Sequence, residues 1–182
     1  MGMVAPVYWT AEMVRALPDD GKRYETVHGE LLVTPAPRAL HQLALARLQL
    51  ALGKYLEREP VGLLLSSPAD ISWGPDILVQ PDLFVVDLDE ARTLDWASMQ
   101  HLLLAIEVLS PSTSRHDRFT KRRLYQEVGI PLYWIVDADA RAVEIWTPEA
   151  RFPTVERDAL AWTPPGAAEP FTLALADLFR PL

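Results

Sequence analysis

The chain has 182 residues, 49% of them hydrophobic and 23% charged, an ordinary globular balance that excludes a disordered, collagenous or coiled-coil protein. No apolar run approaches the ~18 residues of a membrane span, and the lack of cysteine excludes disulfides, zinc–thiolate sites and thiol nucleophiles. The net charge of −8 argues against a general nucleic-acid coat protein. The start MGMVAPVYWT lacks the basic-then-apolar pattern of a secretory signal, so a cytoplasmic protein is expected.

In chain order, Thr10 is placed to cap a short helix over 11–17 that stops before Pro18. Asp19-Asp20-Gly21 is a turn, and residues 22–34 read as a β-hairpin turning at His28-Gly29. After the Pro35–Pro37 loop, the apolar spacing of Leu43, Ala46, Leu50, Tyr55 and Leu56 predicts a long helix over 39–59. Strands are expected over 61–65, 69–73, 82–87 and 101–109, with Trp73-Gly74-Pro75-Asp76 as a turn. The run LLLAIEVL suits a strand buried on both faces. An amphipathic helix over 114–128 is stopped by Gly129 and Pro131. Strands over 132–136 and 142–147 follow, then a short strand or helix near 171–179. Strands interleaved with two long helices predict an α/β (α+β) fold, a central mixed sheet flanked by helices.

Two acids interrupt apolar strands. Asp82 opens a strand reading LFVV, and Glu107 lies between Ile106 and Val108. A carboxylate is expensive to bury unless it is paired or metal-bound. Two of them on neighbouring strands can converge on one hard cation such as Mg²⁺. Asp117, Lys121 and Tyr125, at four-residue intervals, share one helix face. Arg118 and Arg122 form the adjoining stripe, and Leu124, Val128 and Phe119 are expected on the core side. The segment 115–123, RHDRFTKRR, holds five basic residues and one acid, while the rest of the chain carries 12 basic and 24 acidic residues. Such a segment suits a local phosphate contact. Ser110, Ser112 and Ser114 are not in a G-x-S-x-G elbow. They read as a turn in which Ser112, Thr113 or Ser114 caps the helix. Tyr125, Tyr133 and Trp134 read as packing residues, Asp76 as a turn residue and Glu25 as a strand residue.

The whole set runs Pro81-Asp82, then Glu107-Val108-Leu109-Ser110-Pro111-Ser112-Thr113, then Asp117, Lys121 and Tyr125, then Gly129 and the strand Tyr133-Trp134-Ile135-Val136-Asp137. With Arg23-Tyr24-Glu25, Gly29-Glu30-Leu31 and His41, it resembles the Uma family within the restriction-endonuclease-like superfamily, which has the PD-(D/E)xK core. The resemblance runs from about residue 10 to 147. The superfamily lysine would fall at position 109, which is Leu109, so the resemblance makes Lys121 on the following helix the candidate.

That resemblance implies one restriction-endonuclease-like domain over 1–182. The helix and hairpin occupy 10–34, the nuclease core about 39–147 and a C-terminal extension 148–182. It implies an endonuclease hydrolysing DNA phosphodiester bonds with Mg²⁺ or Mn²⁺. Asp82, Glu107 and the Val108 carbonyl are the expected metal ligands. Lys121 is expected to position a water and Asp117 to orient Lys121. Arg118 and Arg122 are expected to bind phosphate, and Glu30 and His41 to be auxiliary site residues. On this reading Lys121→Ala stops cleavage and leaves the fold intact. DNA is the expected partner, no membrane is involved, and a homodimer or higher homo-oligomer suits the cutting of two strands. Two other classes use the same fold: a catalytically silent nucleic-acid-binding or mobile-element accessory protein, and an oligomeric scaffold. An acidic body favours these, and the complete acid–acid–lysine set favours the enzyme.

Overall fold

The computed structural model describes residues 6–182; the first five residues of the segment read for a secretory signal lie outside the described residues. Thr10 Oγ1 accepts from the Met13 N–H and starts α1 (Ala11–Arg15). The hairpin β1 (Arg23–Val27) and β2 (Glu30–Thr34) turns at His28 and Gly29, both with positive φ. A left-handed two-residue turn matches the twist of its flanking strands, and Gly29 takes it without a Cβ penalty. The long helix α2 (Ala39–Arg58) buries His41, Ala44, Leu48, Leu52, Tyr55 and Leu56, a stripe at helical spacing.

Six strands form the main sheet. They are β3 (Leu63–Ser66), β6 (Leu83–Val86), β7 (Leu102–Val108), β8 (Tyr133–Asp137), β9 (Ala142–Trp146) and β10 (Thr154–Glu156), in the spatial order β10-β9-β8-β7-β6-β3. The short helix α3 (Leu88–Ala91) lies between β6 and β7. Among the described residues only β7 and β8 pair in parallel, and the connection between them carries the helix over 114–127. A parallel neighbour requires such a crossover. The sheet is mixed and flanked by helices, as expected.

Alternation decides what each face carries. Leu83 and Val85 of β6 and Leu104, Ile106 and Val108 of β7 pack towards α2 and the C-terminal ribbon. That ribbon pairs β11 (Ala159–Trp162) with β12 (Phe171–Ala174), which is followed by α5 (Leu175–Leu178). Phe84, Val86 and Ala105 face the other way, in one core with Leu124, Tyr125 and Tyr133. That core also takes Val27 and Leu32 of the hairpin and Ile71, Ile77 and Val79 of β4 (Ile71–Gly74) and β5 (Ile77–Val79). These strands form a second sheet, β2-β1-β5-β4, which the sequence pattern does not predict.

The crossover helix departs from expectation. It opens with one wide π turn over His116–Lys121 before α4 (Arg122–Glu127). Asp117, Lys121, Leu124 and Tyr125 are buried, while Phe119, expected on the core side, is 61% exposed. The reason is geometric. Residue 119 is two positions from both Asp117 and Lys121, and i±2 neighbours do not share a helix face. Burying the polar pair turns Phe119 to solvent.

Candidate active site

The two acids project from the same sheet face. The antiparallel register Leu83↔Ile106 and Phe84↔Ala105 brings position 82 opposite position 107. Asp82 shares the parity of Phe84, and Glu107 that of Ala105. Both acids line one cavity of about 860 Å³, together with Arg23, His41, Ser67, Gln80, Ser110 and Thr113.

Asp82 is buried and fully partnered. Its Oδ2 accepts the Val108 N–H at 2.8 Å and lies 3.0 Å from His41 Nε2. Its Oδ1 accepts from Arg23 Nη1 at 2.8 Å. Burial alone would raise the Asp82 pKa, but the His41 hydrogen bond, the Arg23 charge and the Val108 N–H outweigh it and hold the carboxyl well below its ordinary value. At this site Val108 contributes its N–H to Asp82, where its carbonyl was the expected ligand.

Glu107 is the centre of a second group. Lys121 Nζ donates to its Oε1 at 2.8 Å, and Tyr125 Oη donates to the same oxygen at 3.3 Å. Oε2 takes neither bond. Lys121 Nζ also lies 2.9 Å from Glu25 Oε1 and 3.8 Å from Asp117 Oδ1. Glu25 Oε1 accepts the Gln80 N–H at 2.7 Å, whereas its Oε2 is buried without a partner. Tyr133, in T-shaped contact with Tyr125, donates to the Asp117 carbonyl at 3.1 Å. The two tyrosines therefore pack and also tie the helix to the acids, while Trp134 lies on the opposite face of the sheet.

Four buried carboxyls, Glu25, Asp82, Glu107 and Asp117, thus face two permanent cations, Arg23 and Lys121. The imbalance shifts the pKa values of the cluster. Burial pushes Glu107 well above the usual carboxyl range, and the Asp82, Asp117 and Glu25 carboxylates add to the effect against the pull of Lys121. Burial likewise raises Asp117 to about 6. Lys121 goes up despite its burial, because Glu107, Glu25 and Asp117 surround it. Lys121 is therefore held as a cation, and Glu107 and Asp117 are the acids that burial pushes towards the neutral form.

The acid excess, the uncommitted Oε2 of Glu107 and the orphaned Oε2 of Glu25 fit a hard divalent cation, which prefers carboxylate oxygens. Among the described residues no three His, Asp or Glu side chains form a ready-made metal cage.

Other expected residues lie elsewhere. Glu30 is exposed, pairs across the hairpin with Val27 and does not line the cavity. Arg118 is bound by Glu144 at 2.7 Å and Asp137 at 3.2 Å. Arg122 donates to Gln126 and to the Arg118 carbonyl and sits 4.8 Å over the Trp146 ring. Neither arginine lines the cavity. Sequence reasoning missed Glu25 and Arg23 as site residues. Their signal was alternation: Arg23 and Glu25 share the strand face of Val27, which packs inward.

The fold is a mixed central sheet flanked by helices, with an acid on its central strand and a lysine returned to that acid by the crossover helix. The chain belongs to the Uma2 family: the model of that family, described as "Putative restriction endonuclease", matches residues 11–176. The structure is also similar to the crystal structure of "a putative nuclease belonging to DUF820" from Anabaena variabilis. The TM-score is 0.77 at 23% identity, over 94% of this chain and 97% of that one, a likeness of fold. No curated protein matches the chain. Among the described residues, no helix is long and apolar enough to cross a membrane.

Proposed function

We propose that this protein is a metal-dependent endonuclease that hydrolyses DNA phosphodiester bonds at the Asp82–Glu107 cavity. The observation that carries the reading is the buried excess of four carboxyls over two cations, with both strand acids bordering the cavity. Asp82, Glu107 and, from the β7 backbone, Val108 are the residues that would hold Mg²⁺ or Mn²⁺. Such an ion supplies Lewis acidity towards the phosphate and acidifies a water molecule.

The chain's own residues do the rest. His41, Arg23 and the Val108 N–H fix the Asp82 carboxylate in one orientation, ionised throughout the physiological range. Lys121 and Tyr125 fix Glu107 through Oε1 and leave Oε2 as the acceptor facing the reaction. Lys121, held as a cation behind Glu107, balances the charge of that carboxylate and fixes its orientation from outside the cavity. Asp117 and Glu25 keep it against Glu107.

The test is plasmid cleavage by the wild type and by Glu107→Ala, each with and without Mg²⁺ or Mn²⁺. Cleavage that needs both the ion and Glu107 supports the reading. Metal-independent cleavage, cleavage by Glu107→Ala, or no cleavage of any DNA form sinks it.

A further inference from the structure

Lys121 does not border the cavity, and Arg118 and Arg122 are committed elsewhere. The cation that stands in the cavity beside both strand acids is Arg23. Three acceptors hold its guanidinium from one side: Asp82 Oδ1 at 2.8 Å, the Gln80 carbonyl at 2.9 Å and Ser67 Oγ at 3.1 Å. All three bonds leave from Nη1. Among the described residues Nη2 and Nε donate to nothing, although the side chain is only 19% exposed. The other lining cations are neutralised at the mouth, Arg15 by Asp70 and Lys22 by Asp20.

We propose that Arg23 is the phosphate-binding residue of this cavity, its Nη2–Nε edge receiving the non-bridging oxygens of a nucleic-acid phosphodiester while Nη1 stays on Asp82. The inference rests on the nucleic-acid substrate of the proposed function and adds the residue that grips the strand. A planar guanidinium offers two parallel donors to a phosphate. Its fixed position removes much of the entropy cost of ordering a long side chain on binding. A cation is also needed at this spot, because a phosphate arriving beside Asp82 and Glu107 is otherwise repelled.

The experiment is binding of a short, labelled single-stranded DNA, with Ca²⁺ in place of Mg²⁺, to wild type, Arg23→Lys and Arg122→Ala. Thermal unfolding of each is recorded alongside. Arg23→Lys keeps the charge and loses the fork. It is expected to bind at least tenfold more weakly, with a nearly unchanged slope of log affinity against log salt because the charge is kept. Arg122→Ala is expected to stay within twofold of wild type. Because Arg23→Lys also disturbs Asp82, wild type is treated with the arginine reagent phenylglyoxal, with and without the same DNA, and mapped by peptide mass. DNA is expected to shield Arg23 and to leave Arg122 unchanged. Wild type that binds no DNA, Arg23→Lys binding within twofold of wild type, or equal labelling of Arg23 with and without DNA overturns the proposal. The two readings separate cleanly. Glu107-dependent cleavage indifferent to Arg23→Lys sinks the arginine and spares the nuclease. Arg23-dependent binding without any cleavage does the reverse.

Discussion

Lys121 Nζ and Glu107 Oε1 lie 2.8 Å apart, and of the two only Glu107 borders the cavity. The lysine therefore acts through the acid. The position two residues beyond Glu107, where the superfamily carries its lysine, is Leu109, buried among apolar side chains. The crossover helix supplies the charge instead, from behind the wall of the site.

That placement changes what removing Lys121 does. Lys121 is 2% exposed and is the shared cation of Glu25, Glu107 and Asp117. Deleting one partner of a buried ion pair leaves uncompensated charge and costs about 3–5 kcal/mol. Lys121→Ala is expected to lose cleavage and stability together, measured as a lower urea midpoint. This differs from the sequence expectation, in which Lys121→Ala stops cleavage and leaves the fold intact. A midpoint equal to wild type would show that the carboxyls do not depend on it.

Glu25→Gln is expected to act with the opposite sign. It removes one of four carboxyls from a cluster with too few cations, and the glutamine oxygen still accepts the Gln80 N–H. Stability is expected to stay within about 1 kcal/mol of wild type or to rise. Cleavage is expected to fall at least tenfold, with saturation moved to higher Mg²⁺. A strongly destabilised variant with a normal Mg²⁺ requirement would make Glu25 a purely structural residue.

The shifted acids give a pH signature. Asp117 moves from an ordinary 3.8 up to about 6 in the folded chain, and burial holds Glu107 well above its ordinary value. For a raised acid, the unfolded chain ionises first as pH rises. The native state then loses stability between pH 3.8 and about 6 as far as Asp117 is concerned, and Glu107 acts in the same direction as pH rises. Asp82 moves down, so its contribution is present above pH 3.8 and is lost only in strong acid. A divalent cation needs the ionised carboxylates and displaces their protons. The rise in melting temperature on adding Mg²⁺ is therefore expected to be larger at pH 8 than at pH 5.5. A shift independent of pH would separate cation binding from these acids.

Gly29 tests the hairpin as the carrier of Arg23 and Glu25. Its φ is +79°, and an added Cβ would lie 2.3 Å from Tyr8 Cε2. Gly29→Ala must strain the turn and push the Tyr8 ring off its hydrogen bond to Asp76. The expected cost is about 1–2 kcal/mol, with cleavage reduced although residue 29 touches no site residue. Calorimetry and a cleavage assay on the same sample check both.

The longer elements were legible because their patterns are local. Leu43, Ala46, Leu50, Tyr55 and Leu56 predict α2, although of these only Tyr55 and Leu56 are buried, and Leu48 and Leu52 fill the core face. The apolar run marks β7, and Thr10 and His28-Gly29 mark a cap and a turn. The three-residue strands β5 and β10 carry too little period to read. The second sheet depends on the pairing Thr26↔Leu78, which joins segments far apart in the chain.

The sequence by itself determined that Asp82 and Glu107 interrupt buried strands and that Asp117, Lys121 and Tyr125 share a helix face, because both follow from fixed periods of two and about 3.6 residues. Periodicity assigns a side chain to a face without naming its partner. Only the tertiary structure decided that Lys121 meets Glu25, that Arg23 borders the cavity, and that Arg118 is spent on Asp137 and Glu144. The physical reason is that a charge takes the partner that desolvation leaves within reach, and strand order and sheet packing set that reach.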